Sequence, residues 1–396
     1  MPDTDKGESM EEKLNSYLEF QKQIDDVFGK GTIVVNDKNF GNNVVGTWKY
    51  VDDFQTFRAN FVERLVKLRD TLKLESNIRV FHNLISNLGS SNNWEGTYAE
   101  IVAYNILKND YNVEYELDVT RKASFALASK MGMNNINYDV LLPDYGVYMD
   151  VKAFTDTVGD ILYHGIIKKV LQQNEFKSQQ LNILPQHPLD ENDEMYKSNI
   201  QSLQTELAEQ LRKMIKKGGK HHSFTSAIVP SLGYHILQGA GVNSSESSYS
   251  PYRHAEAMKD FIIKRYCNKF TLRRPFFLVL VNFPWYNQIT RNSFGYNKLF
   301  YRSIARRTFI QYEKSTILAN SINSQYRGKG LAKYVARKLT GLIFIDDNSI
   351  NGNGYDAYIY TNPNATHKYP RLSTYLEEIL RHAHEGDYED FIYDNY

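Results

Sequence analysis

Residues 138–154, YDVLLPDYGVYMDVKAF, leave the chain few ways to fold locally. Pro143-Asp144-Tyr145-Gly146 supplies turn chemistry between two short apolar-rich runs, 138–142 and 147–154, which is the pattern of a β-hairpin. Successive strand residues point to opposite faces, so Val147, Met149, Val151 and Ala153 share one face while Tyr148, Asp150, Lys152 and Phe154 share the other. A four-residue loop closed by Leu142 opposite Val147 carries Asp139 across from Asp150. Directly opposed side chains stand roughly 5 Å apart, and like charges there destabilise a sheet, so a compensating cation is expected.

A divalent ion suits that place, because Mg²⁺ is commonly held by one or two carboxylates, some waters and the phosphate oxygens of a substrate. Lys152, on the same face as Asp150, then sits where a phosphate or an attacking water needs positive charge. With Asp139 as a first acidic position and Asp150-Val151-Lys152 as an acid-x-lysine element, the chain resembles the PD-(D/E)XK, or restriction-endonuclease-like, nuclease superfamily. Tyr138 stands where that family usually has a proline. The resemblance covers roughly residues 94–184 and implies Mg²⁺, with Mn²⁺ able to substitute, held by Asp139, Asp150 and the carbonyl of Val151. It also implies a DNA phosphodiester substrate. Acid-x-Lys by itself is a weak signal, since Glu11-Glu12-Lys13 and Glu175-Phe176-Lys177 occur in the same chain. The bland reading, an Asp150–Lys152 surface pair on an ordinary hairpin, stays open beside it. A retaining glycosidase fits less well, because an adjacent lysine opposes keeping one acid protonated.

The 396 residues allow two or three domains, or one core with large insertions. Cys267 is the one cysteine, which rules out an internal disulfide framework and any cysteine-rich zinc site. No stretch of about 18 consecutive apolar residues appears and the start is polar, so no membrane span is expected and the location read from the sequence is cytoplasmic. Basic and acidic residues number 47 and 46, so any surface for nucleic acid must be local rather than global.

Apolar spacing predicts a mainly helical region over residues 1–90, with helices at 10–28, from Asp52 or Asp53 through Leu68, and at 78–88, and short strands at 32–35 and 44–50. Residues 94–108 form a helix in which, from Gly96 to Leu107, Glu100 is the one charged residue. A buried carboxylate without a partner is costly, so Glu100 is assigned to the metal or its water, in keeping with the glutamate that the family often carries on its first helix. Glu95 is about 140° round the helix and suffices as an N-terminal dipole partner. Period-2 alternation predicts a strand over 111–119, and a helix follows the hairpin over 160–182. Helix, strand, strand, strand, helix is the order in which the superfamily core begins, so 91–184 is read as the first part of that core.

Residues 184–193 read as a linker, 185–274 as a helical insertion, and 275–396 as the remaining strands and helices. The run 275–283, PFFLVLVNF, suits a strand covered on both faces, and 342–345 and 355–360 suit further strands. Basic segments offer phosphate contacts: Lys264, Arg265, Lys269, Arg273 and Arg274; Arg302, Arg306 and Arg307; and a helical stripe of Lys329, Lys333 and Arg337 with Tyr326 and Tyr334 for stacking. Of these, Lys269, Arg273, Arg274, Lys329, Lys333 and Arg337 are the expected DNA-binding residues. A second basic patch spans Lys213, Lys216, Lys217, Lys220, His221 and His222. The histidines lack zinc spacing. A helix is expected at 374–384 before an acidic tail.

The fold expected is therefore α/β: a restriction-endonuclease-like core, a mixed central sheet flanked by helices, with a helical N-terminal region and large helical insertions. The function expected is a Mg²⁺-dependent endodeoxyribonuclease in restriction or antiphage defence, as a homodimer or within a defence complex. The alternatives are a non-catalytic nucleic-acid-binding or assembly subunit with a nuclease-like fold, a DNA repair or recombination nuclease, and an RNA-cleaving nuclease.

Overall fold

The structure, a computed structural model, describes residues 10–31, 54–72, 75–88, 94–107, 114–117, 126–154, 157–187, 193–239, 251–283, 296–348, 354–368 and 384–385. The expected strands at 32–35 and 44–50, the residues Asp52 and Asp53, positions 374–383 of the expected helix, and the acidic tail beyond Glu385 lie outside these residues.

Helices α1 (Met10–Phe28), α2 (Phe54–Thr71), α3 (Glu75–Leu88) and α4 (Trp94–Leu107) form the N-terminal part, as the apolar spacing predicts. Among the described residues ten strands follow in chain order: β1 (Glu114–Leu117), β2 (Tyr138–Leu142), β3 (Val147–Ala153), β4 (Leu181–Gln186), β5 (His221–Thr225), β6 (Gly233–Gln238), β7 (Phe276–Asn282), β8 (Gly341–Asp347), β9 (Tyr355–Thr361) and β10 (His384–Glu385). Seven of them build one mixed sheet in the order β1-β2-β3-β7-β8-β9-β10. The first three form an antiparallel meander, while β7 and β8 add in parallel to β3.

Strand alternation puts the two sides of this sheet into different cores. Val147, Met149 and Val151 of β3, with Phe277, Val279 and Val281 of β7, pack against α1 to α4. Tyr148, Leu278 and Leu280 face helices Pro251–Ala257, Phe261–Tyr266, Tyr296–Arg306 and Ala332–Ala336. Every residue of β7 and of β8 is buried, the polar Asn282, Asp346 and Asp347 at their ends included, and the apolar runs 276–281 and 342–345 are covered on both faces. Each large side chain so placed contributes about 1.5–3 kcal/mol. The result is an α/β architecture with helices on both faces of a mixed sheet.

Residues 157–187 and 193–239 form a separate packed body. After β3 the chain runs helically through Thr157–Asp160, the π-helical Ile161–Ile167 and Lys168–Leu171. The predicted helix over 160–182 thus stops early: Phe176 tucks into the core of this body, and β4 starts at Leu181. The linker expected from residue 184 is likewise corrected, since Leu184, Pro185 and Gln186 pair with His235, Tyr234 and Gly233. Strand β4 lies at the edge of a three-stranded sheet ordered β4-β6-β5, and an edge strand tolerates a proline that lacks the N–H donor. The segment 185–274, expected to be a helical insertion, thus contains antiparallel sheet as well as helices. His221 and His222 belong to β5 rather than to a loop. His384, expected to end a helix, pairs with Tyr358 of β9.

Candidate active site at the hairpin

The hairpin register is set by its turn. Tyr145 N donates to Leu142 O and Gly146 N to Pro143 O, both at 3.1 Å. Gly146 has φ of 62°, a conformation that an L side chain adopts only at a cost. Leu142 then opposes Val147, Leu141 opposes Tyr148 and Val140 opposes Met149. The paired register ends there, and the next residue of each strand, Asp139 and Asp150, is brought to the same ammonium: Lys152 Nζ lies 3.5 Å from one carboxylate and 2.8 Å from the other. Tyr104 of α4 donates its hydroxyl to the backbone oxygen of Asp139 at 3.2 Å, which ties the helix to this point of β2.

Asp150 is fully buried. Its Oδ2 lies 2.8 Å from Lys152 Nζ and its Oδ1 lies 2.9 Å from Lys269 Nζ. Both ammonium groups approach at ion-pair distance, yet neither Asp150 oxygen has an aligned hydrogen bond. Asp139 Oδ2 accepts from Val151 N at 2.6 Å and stands 3.5 Å from Lys152 Nζ. Lys152 also donates to Val151 O at 2.8 Å. Three oxygens, from Asp139, Asp150 and Val151, therefore converge on one point, and the ammonium of Lys152 fills it.

Burial and the charge of Asp150 push the Asp139 carboxyl up to about 6, against the lowering influence of Lys152, Lys269 and the Val151 N–H. Lys152 is held above the usual lysine range: burial works against its charge, and Asp150 followed by Asp139 outweighs that. Glu100 contributes to the same field. It sits half-buried on α4.

Do these residues fit a divalent ion? Among the described residues no group of three or more His, Cys, Asp or Glu side chains forms a metal site, so Glu100 is not drawn into a three-acid cluster with Asp139 and Asp150. Two carboxylates suffice for Mg²⁺ when water and substrate phosphate complete its shell, and the buried Asp150 oxygens without aligned donors suit such an ion. The donors fit, provided that the ammonium of Lys152 moves aside.

The expected DNA-binding residues divide. Lys269 is drawn into the carboxylate site, where it stands at ion-pair distance from Asp150 and donates to the oxygen of Asn137. The sequence signals only that it is basic; its role comes from lying just ahead of β7, whose Leu278 pairs with Asp150. Arg273 and Arg274 are exposed, and Arg274 reaches the hairpin turn, since a Cβ at Gly146 would lie 3.3 Å from its Nη1. The stripe of Lys329, Lys333 and Arg337 is not one helical face. The helix there is only Ala332–Ala336, with Lys329 before it and Arg337 after it. Arg337 is engaged by the carboxylate of Glu313, and both Lys333 and Arg337 lie over the Tyr334 ring. Arg307 is buried and paired with Glu256 at 2.8 Å. Sequence reasoning also missed Tyr266, a phenol whose pKa is raised chiefly by burial and which senses Arg265, Lys152 and Asp150 together.

No helix among the described residues is long and apolar enough to cross a membrane. Compared with protein-family models, curated proteins and solved structures, the chain has no match.

Proposed function

We propose that the chain is a metal-dependent endonuclease that hydrolyses DNA phosphodiester bonds, built on a restriction-endonuclease-like core and working in restriction or antiphage defence. The observation that carries this reading is the cage of three oxygens from Asp139, Asp150 and Val151 around a single cation position. The order helix, strand, strand, strand, helix, with β7 laid parallel beside β3, agrees with it. A divalent ion in the cage would supply Lewis-acid polarisation of the scissile phosphate. Lys152, once out of the cage, stays tethered beside it on β3, where its ammonium can pair with a phosphate oxygen and balance charge that develops in the transition state. Asp139 and Asp150 hold their positions through the Val151 N–H and through Lys269.

The test is nicking of supercoiled plasmid by the purified chain with Mg²⁺ or Mn²⁺. Wild type relaxes the plasmid, whereas Asp150→Asn and Lys152→Ala lose at least about a hundredfold in rate, the scale on which removal of one electrostatic group acts. Nicking at the wild-type rate by either folded variant would refute the assignment.

One observation favours a second reading. Two carboxylates and two ammonium groups already neutralise each other, which suits a nuclease-like subunit that binds nucleic acid without cutting it. A shifted plasmid band that remains supercoiled with either ion would select that reading.

A further inference from the structure

A cleft of about 320 Å³ opens beside the carboxylate site, lined by the cations Lys264 and Arg265, the amides Asn268, Asn323 and Gln325, and the hydroxyl of Ser324. Met131 and Ile322 add apolar surface that would accept a sugar face. None of these lining residues is acidic. That volume lies at the small end of ligand pockets, and its chemistry, positive charge with several neutral donors, is that of a phosphate and its ester-linked sugar.

The cleft and the site share a wall. Helix Phe261–Tyr266 and the 3₁₀ turn Cys267–Lys269 form one short segment. Lys264, Arg265 and Asn268 turn into the cleft, whereas Lys269 turns to Asp150 at 2.9 Å. Asn268 and Lys269 are consecutive, so one residue of this segment lines the cleft and the next reaches the carboxylate site. Tyr266 belongs to the same segment, and its phenol feels Arg265, Lys152 and Asp150 together. The cleft is also braced: Asn323 Nδ2 donates to Lys264 O at 2.7 Å, and Gln325 N donates to Asn323 Oδ1 at 3.0 Å. Further positive charge stands nearby, since a Cβ at Gly132, next to Met131, would lie 3.0 Å from Arg327 Nη1.

We propose that this cleft is a phosphate subsite, which holds the sugar-phosphate backbone of the DNA strand presented to Asp139, Asp150 and Lys152. The inference rests on the nuclease reading for the strand's identity, but its test does not use cleavage. Fluorescence polarisation of a 5′-fluorescein-labelled oligothymidylate is measured in EDTA with the full chain, with the Lys264→Ala/Arg265→Ala double variant and with Lys197→Ala, an exposed lysine on the separate sheet body. The double variant is expected to bind about tenfold more weakly, and the slope of log affinity against log salt is expected to fall by about 1.4, two single-strand phosphate contacts. Lys197→Ala is expected to match wild type. Gln325→Glu, a change on an exposed residue that leaves the fold intact, is expected to weaken binding in the same direction by setting a negative charge at the rim.

Weaker binding by these variants supports the subsite whether or not the wild-type chain nicks plasmid, so the two readings fail separately. The subsite is overturned if wild type does not bind the probe at low salt, or if Gln325→Glu and the double variant bind as wild type. It is equally overturned if Lys197→Ala loses as much as the double variant. Displacement of the probe by inorganic phosphate as effectively as by unlabelled oligothymidylate would assign the cleft to a free anion and would also overturn it.

Discussion

Asp150 is the residue on which the others depend, because a fully buried carboxylate is tolerable only with compensating charge. Lys269→Ala removes one of its two cations, and truncating one partner of a buried pair costs about 3–5 kcal/mol. Urea denaturation should therefore show a clear loss of midpoint, with an unchanged midpoint counting against the ion pair. Asp139 gives a pH signature. Its pKa is raised above the unfolded value to about 6, so between roughly pH 4 and pH 6 the native chain binds more protons than the unfolded one. Stability from this group is thus greatest in acid and falls as pH rises through that window, by at most about 3 kcal/mol. Asp139→Asn should flatten that part of the curve of unfolding free energy against pH; an identical curve would count against the burial argument. Asp139, Asp150 and Lys152 were legible in the sequence because a turn and period-2 alternation fix a hairpin register locally. Lys269 was not, because its partner lies over a hundred residues away and no local pattern encodes that meeting.

Strand β7 was readable as a continuous apolar run, since burial on both faces leaves a compositional trace. Strands β4 and β5 were not: LNILPQ includes a proline and HHSFT is largely polar, and both exist through pairing with β6 rather than through their own apolar pattern. The basic stripe at residues 329–337 failed for a related reason, because spacing by four has meaning only where a helix is long enough to carry it. At the start of β8, packing is tight enough to test directly. A Cβ on Gly341 would lie 2.5 Å from Phe277 Cε1 and 2.8 Å from the Tyr360 backbone oxygen. Gly341→Ala should therefore destabilise by about 1–3 kcal/mol through overpacking, whereas Gly219→Ala, whose nearest neighbour would be 3.5 Å away, should be milder. Chemical denaturation of both variants checks the order.

Across the whole molecule, the main sheet and the body around β4, β5 and β6 have separate hydrophobic cores. Separate cores predict separate cooperative opening. Leu211→Ala, at a fully buried position of the smaller core, should speed amide exchange in β4, β5 and β6 and leave β7 and β8 as protected as before; uniform acceleration would show one unit instead. The alternation of helices and strands made an α/β chain legible, and the mixed sheet flanked by helices was expected from the superfamily resemblance; the strand order was not legible, since β7 rejoins β3 after the whole smaller body has intervened. That return has a cost in time. At about 5–20 residues per second on the ribosome, β3 waits on the order of ten seconds for the strand that will cover its free edge, and until then Asp150 faces Lys152 with no second lysine to steady it. The nascent chain thus passes through a period with an open strand edge and an unfinished centre, and whatever chemistry the centre performs is withheld until synthesis has passed the middle of the chain.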